Sequence, residues 1–287
     1  MTLNYNSPAS LKAFLKKEGL GMQKKFGQNF LINPQIRQAL ADSLDARPGD
    51  DVWEIGPGLG AMTEILLSKK FNVKAFEIDQ GFIRVLKDIL SGYSNFRLIE
   101  GDVMKTWRTQ KASPFLLGNL PYNIGSALLA DMIEKGRIFS RMAVTVQKET
   151  AQRMTASAGT KDYSSFTVLC SSVYNIKTIA LINRESFYPI PNVDSAGLLL
   201  ENRGAQCLPG IFYPLVRGLF ASRRKTIKNN LSAFISSMYS SGLKGISAQD
   251  VCAKIFRENG LSGMERAESL ELDTFLSIAK SLENMRL

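Results

Sequence analysis

Asp51-Val52-Trp53-Glu54-Ile55-Gly56-Pro57-Gly58-Leu59-Gly60 runs from a short apolar segment straight into three glycines within five residues, and Met62–Ser68 behind it has helical spacing. Glycines between a strand and a helix let the backbone turn tightly and let a ligand approach the main chain. The pattern repeats outward from this point. Asn72–Ile78, Phe96–Glu100, Phe115–Asn119 and Met142–Gln147 read as strands, with helical spacing over Gln80–Leu90 and Ser126–Glu134 between them. Strand-helix alternation of this kind predicts βαβ units and a mostly parallel sheet with helices on both faces. Asn175–Ile182 and Ser195–Glu201 lie close enough to form an antiparallel edge pair. Beyond the turn-rich stretch Asn202-Arg203-Gly204 to Pro209-Gly210 only helical spacing remains, over Phe212–Phe220, Lys225–Tyr239, Ala248–Phe256 and Thr274–Asn284. The division expected is an α/β domain over 1–203, opened by a helical lid segment over 1–47, and a small all-α domain over 204–287.

Composition narrows the chemistry. The chain has 287 residues, 45% of them hydrophobic, which is enough to bury a sizeable core. Cys170, Cys207 and Cys252 form no CxxC pair, so neither a disulfide framework nor a zinc site is expected, and the count fits a reducing cytosol. No apolar run approaches the roughly 18 residues of a membrane span. Met1 to Phe26 has no continuous apolar segment of the kind a secretory signal needs. Lys12 to Leu20 reads as a surface helix. Histidine is absent, which removes Ser-His-Asp triads, histidine general bases and histidine metal sites. The net charge of +10 is uneven: residues 1–47 carry seven Lys/Arg against three Asp/Glu, residues 48–202 carry 17 against 16, and residues 203–287 carry 12 against seven. Basic ends around a neutral middle suit a polyanion gripped at the periphery and processed in the centre, and equally a generally basic protein.

Three successive strand ends carry polar groups. Gly56 ends the first; with Gly58 and Ala61 it also satisfies the loose dinucleotide pattern. Glu77 ends the second strand, 21 residues later, where a carboxylate can accept both hydroxyls of a ribose. That excludes a 2′-phosphate but leaves NAD and S-adenosylmethionine both open. Asp102, ending the third, can hydrogen-bond the amino edge of an adenine. In a doubly wound sheet these ends face one crevice.

Asn119-Leu120-Pro121-Tyr122 caps the fourth strand. An aromatic amine is a poor nucleophile because its lone pair is delocalised into the ring. Acceptors that hold its N–H bonds favour pyramidal geometry and stabilise the positive charge that develops on alkylation. The Asn119 carbonyl and a nearby backbone carbonyl, around Leu120, supply two acceptors. Pro121 fixes the backbone, and Tyr122 offers a face on which a base can stack. Read alone, the tetrapeptide is also a simple proline turn. Its place after the Gly56, Glu77 and Asp102 strand ends favours chemistry.

The chain resembles the bacterial small-subunit ribosomal RNA adenine dimethyltransferases. The matching segments are Lys25 to Leu31, Glu54 to Gly60, Glu77, Gly101-Asp102, Gly118 to Asn123, Tyr188 to Ala196 and Arg223 to Ile227. The resemblance implies a seven-strand, mostly parallel Rossmann-like methyltransferase domain followed by a helical domain. It implies S-adenosylmethionine as co-substrate, without a metal, and two adjacent adenines near the 3′ end of 16S rRNA as targets, each receiving two methyl groups. By position it puts Gln28, Asn29 and Leu31 over the cofactor and Gly56 by its methionine part. Glu77 falls on the ribose and Asp102 on the cofactor adenine. Asn119 lies between cofactor and target amine, and Tyr122 stacks on the target base with Phe187 as a second aromatic face.

The chain departs from the family pattern at Asn192, where Lys is usual, and over Tyr163-Ser164-Ser165-Phe166-Thr167, which lacks a basic residue; both bear on RNA grip rather than on methyl chemistry. Arg223, Arg224, Lys225 and Lys228 place four cations within six residues and suit phosphate contacts, with Arg224 and Lys228 sharing a face if the run is helical. Lys24 and Lys25 could add to them. The expected setting is the cytoplasm, away from membranes, with the immature 30S subunit as partner and a monomer as the acting form. A large-subunit rRNA adenine methyltransferase is the nearest alternative, though such enzymes typically carry Ile at the place of Leu120. An assembly factor with little catalysis is another. An NAD-dependent dehydrogenase leaves Asn119 to Tyr122 unexplained.

Overall fold

The computed structural model describes residues 3–22, 27–204, 208–238 and 247–285. In chain order the elements up to the last strand are α1 (Pro8–Lys17), β1 (Phe30–Leu31), α2 (Pro34–Ser43), β2 (Asp51–Ile55), α3 (Ala61–Ser68), β3 (Asn72–Glu77), α4 (Gln80–Ile89), β4 (Phe96–Glu100), α5 (Val103–Thr106), β5 (Phe115–Asn119), α6 (Gly125–Glu134), β6 (Arg141–Gln147), α7 (Lys148–Met154), α8 (Ser165–Ser171), β7 (Tyr174–Ile182), β8 (Phe187–Tyr188) and β9 (Ser195–Asn202). α9 (Phe212–Leu219), α10 (Ile227–Met238), α11 (Ala248–Glu258) and α12 (Leu272–Asn284) follow.

The chain forms two compact units, Met1–Ala151 with Asn175–Asn202, and Gln152–Tyr174 with Arg203–Leu287. The first is built on a seven-stranded sheet in the order β4-β3-β2-β5-β6-β9-β7. The pairs among β2 to β6 are parallel, and β9 runs antiparallel to β6. β2, β5 and β6 are almost wholly buried, as strands covered on both faces must be, which is why they read as continuous apolar runs. β7 and β9 are neighbours as expected, but β9 lies inside the sheet and only β7 forms the edge. One layer of core joins Leu40, Leu44, Val52, Leu66, Leu117 and Ala143. On β2, Trp53 packs its ring against Phe76 at 4.9 Å and Phe139 at 5.5 Å.

α1 starts earlier than its lysines suggest. Ser7 caps it by accepting the Ser10 N–H, and Pro8 takes the first turn, where a missing N–H costs nothing. Its Leu11 and Leu15 join Tyr5, Leu59, Phe82 and Val85 in a separate apolar cluster.

The second unit has its own core, containing Phe212, Leu219, Ile227, Leu231, Ile255 and Phe275. Tyr163 and Val168 belong to that core, and Tyr163 Oη donates to Leu270 O at 3.0 Å. Segment 152–174, which sequence continuity puts in the α/β domain of 1–203, therefore packs with the helices. No helix among the described residues is long and apolar enough to cross a membrane.

Candidate active site

The C-terminal ends of β2, β3, β4 and β5 open onto one cleft of about 210 Å³. Gly56, Glu77, Asp102 and Asn119, each from a different strand end, all line it, and so do Gln28, Asn29, Leu31, Leu120 and Tyr122. The doubly wound topology forces this convergence, because parallel strands deliver their ends to the same edge.

The glycine loop is shaped by contact. Gly58 has φ +59°, and a Cβ there would sit 2.9 Å from Phe30 Cε1, so only glycine fits beneath that ring. Gly60 begins α3 with φ +93°. The Tyr5 hydroxyl, from the N-terminal segment, lies 2.9 Å from Leu59 O and 3.0 Å from Glu64 Oε1 and shares its proton between them.

Glu77 is buried, and three backbone N–H groups hold it: Ile78 and Asp79 donate to Oε1 at 2.8 and 2.9 Å, and Gly58 donates to Oε2 at 3.1 Å. Burial raises its pKa to about 7, with these hydrogen bonds opposing the shift. Three of its roughly four acceptor positions are thus in use, and the remaining one is on Oε2. Asp102 is both a cap and a cleft residue. Its Oδ1 accepts the Met104 N–H at 2.9 Å at the start of α5, and it lines the cleft.

Asn119 is fixed from two sides. Its Nδ2 donates to Asn29 O at 2.6 Å, and its Oδ1 accepts from Thr145 Oγ1 at 2.5 Å. The carbonyl oxygen keeps a second lone pair. The hydroxyls of Tyr122 and Ser195 lie 2.6 Å apart, which orients the Tyr122 ring, and burial raises the Tyr122 pKa. Gln28 Nε2 donates to Asp79 Oδ2 at 2.9 Å, so the 27–31 loop is tied both to the residue that caps α4 and to β5.

Four contributors escaped the sequence reading. Thr145 is Asn119's register partner across β5 and β6, which only strand pairing reveals. Ser195 and Asp79 act through long-range contacts. Arg37, buried on α2, donates from Nη1 to Leu31 O at 2.6 Å and from Nη2 to Asn6 Oδ1, and it lines the cleft.

Phe187 needs correction as an RNA contact. It pairs with Leu31 between β1 and β8, is 1% exposed and lies in the core with Leu40 and Ile182, so neither ring face is open to a base. The basic cluster is also arranged differently. α10 begins at Ile227, so Arg223, Arg224 and Lys225 sit in the preceding turn and share no helical face with Lys228. The turn is pinned by Asn230, whose Nδ2 donates to Leu219 O and Ser222 O. All four cations are exposed; Arg223 pairs with Glu268 at 2.8 Å, and the other three form no salt bridge among the described residues. Lys24, Lys25 and Cys207 lie outside the described residues.

A doubly wound sheet with a glycine loop, two carboxylates and an Asn-Leu-Pro-Tyr corner at one edge defines a Rossmann-like methyltransferase domain. Residues 19–268 match the family model for ribosomal RNA adenine dimethylase, and the chain belongs to that family. It is 46% identical to a Ribosomal RNA small subunit methyltransferase A of Treponema denticola, over 96% of this chain and 94% of the relative. Its counterpart in Borreliella burgdorferi is 38% identical over 98% and 96%. A crystal structure of a dimethyladenosine transferase from Plasmodium falciparum superimposes with a TM-score of 0.74 at 25% identity, covering 86% of this chain and 94% of that one. A 23S rRNA methyltransferase shares the fold, at a TM-score of 0.63 and 22% identity.

Proposed function

We propose that this chain transfers methyl groups from S-adenosylmethionine to the N6 amino groups of two adjacent adenines near the 3′ end of 16S rRNA. It would act as a cytoplasmic monomer on the immature 30S subunit. Family membership and full-length relatives named as small-subunit methyltransferases support this choice over a large-subunit target. The observation that carries the chemistry is Asn119, clamped by Asn29 and Thr145 in the cleft that Glu77 and Asp102 also line.

The cleft fits the co-substrate. Gly58 leaves room under Phe30, Glu77 keeps one acceptor for a ribose hydroxyl, and Asp102 keeps Oδ2 for an adenine amino group. When bound, S-adenosylmethionine supplies an electrophilic methyl group. Everything else is positioning. The Asn119 carbonyl holds one N–H of the target amine and stabilises the positive charge that develops on nitrogen. Tyr122 supplies a stacking face for an adenine drawn out of its helix. No histidine base is needed, because the methylated amine is acidic enough to release its proton to water. Arg224, Lys225 and Lys228, exposed and without carboxylate partners among the described residues, are free to meet phosphates.

The test is methylation of undermethylated small subunits with labelled S-adenosylmethionine, followed by mapping of the modified bases. Dimethyladenosine at two adjacent positions is expected. Asn119→Ala should lower the rate about a hundredfold or more. An Asn119→Ala enzyme of normal rate would overturn the assignment, and labelling confined to the large subunit would overturn the choice of RNA.

A further inference from the structure

The opposite end of the sheet carries a second cavity, of about 200 Å³, formed where β2, β3 and β4 begin. Trp53, Lys74 and Arg97 lie in one register row across these strands, and Lys111 comes from the segment before β5. Lys74 Nζ is 5.9 Å from the Trp53 ring centre, and the Arg137 guanidinium is 5.2 Å from the same ring. The indole is buried, so the two cations flank a neutral wall.

Charge here is unbalanced. Directly opposed like charges on neighbouring strands are destabilising, yet Lys74 faces Arg97. Neither they nor Lys111 form a salt bridge among the described residues, and Asp51 is the one acid lining the cavity. Burial, then the neighbouring Arg97, Lys111 and Arg137, lower the Lys74 pKa, with Asp51 opposing. The Nδ2 groups of Asn72 and Asn95, which also line the cavity, donate to Gly49 O and Phe71 O.

We propose that this cavity is a second RNA contact, taking a phosphodiester of the substrate between Lys74, Arg97 and Lys111. The inference rests on the rRNA substrate proposed above. A phosphate relieves the Lys74–Arg97 repulsion and accepts two parallel bonds from the Arg97 fork. Lys74 lies three residues before Glu77 on β3, which puts this contact about 10 Å along the strand from the cofactor cleft. It therefore engages RNA away from the target adenines. The site favours a folded subunit over a short oligonucleotide, because only an extended RNA surface reaches both ends of the sheet.

The test uses the full chain with all three cations changed, Lys74→Gln, Arg97→Gln and Lys111→Gln. Affinity for undermethylated small subunits at low salt should fall about tenfold or more, and the dependence of log K on log salt should flatten by about one. KM for subunits should rise, while kcat at saturation and affinity for S-adenosylmethionine stay at wild-type values. Lys74→Arg with Lys111→Arg keeps the charge and should bind normally. Unchanged subunit affinity and salt slope in the glutamine variant overturn the proposal. So does tight binding of inorganic phosphate, read from Trp53 fluorescence, in a protein whose subunit affinity ignores the three substitutions; that result assigns the cavity to a free anion. A wild-type enzyme that neither binds nor methylates small subunits would instead fail the functional reading itself.

Discussion

Glu54 shows how far a single side chain can depart from its usual state. It is fully buried on β2, and neither carboxyl oxygen has a hydrogen-bond partner among the described residues. Burial pushes the Glu54 pKa up to about 8, with the equally buried Thr63 hydroxyl opposing and the Glu77 charge adding to the rise. Its folded-state pKa thus exceeds the unfolded value near 4.5, so the folded state holds this proton more tightly. The resulting stability is fully present below pH 4.5 and is lost as pH rises through about 8. Urea unfolding should show a decline on the order of 2–3 kcal/mol between pH 6 and pH 9. Glu54→Gln, which keeps the shape without the ionisation, should flatten that decline. An unchanged pH slope in Glu54→Gln would show that the carboxyl is not the source. Burial also raises the Glu77 pKa, but only to about 7, because three backbone N–H bonds oppose the shift, and Glu77 lines the cleft.

The glycine loop and the N-terminal helix contribute as elements. Gly58→Ala puts a methyl group 2.9 Å from Phe30 Cε1 at a φ of +59°, so both the backbone and β1 must yield. The left-handed conformation alone costs about 1–2 kcal/mol. Thermal unfolding should register that loss, and calorimetry should show S-adenosylmethionine binding weakened about tenfold or more. Wild-type affinity in a folded Gly58→Ala protein would remove the loop from the cofactor site. These elements differ in how legible they were. β2 and its glycines can be read directly, because strand, turn and helix follow within a few residues. The Gly56, Glu77, Asp102 and Asn119 strand ends converge as parallel topology requires. The docking of Tyr5 on Leu59 spans 54 residues, and nothing local signals it. The Thr145–Asn119 bond depends on strand register, which sequence does not display. Phe187 misleads for a related reason: the resemblance puts it on the target base as a second aromatic face, but its pairing with Leu31 turns it into the core.

At the scale of the whole molecule, the two units carry separate cores, and this division is the least legible part of the fold. Segment 152–174 lies between β6 and β7 in sequence, so chain continuity assigns it to the sheet. Its apolar side chains decide otherwise: Tyr163 and Val168 are buried among Phe212, Leu219 and Phe275. Separate cores imply that damage to one should leave the other's chemistry in place. Phe275 is fully buried and stacked on Phe220, with ring centres 5.7 Å apart. Phe275→Ala removes the ring from a site that cannot fully collapse and should destabilise the helical unit by about 3–5 kcal/mol. Every cleft-lining group belongs to the other unit, so affinity for S-adenosylmethionine at 20 °C should be unchanged, while an early unfolding transition appears in calorimetry. Small-subunit binding should fall, because Arg224, Lys225 and Lys228 sit on the destabilised core, and methylation should fail through KM before kcat. A single cooperative transition, with cofactor affinity lost in step with helical structure, would show that the two cores stand or fall together.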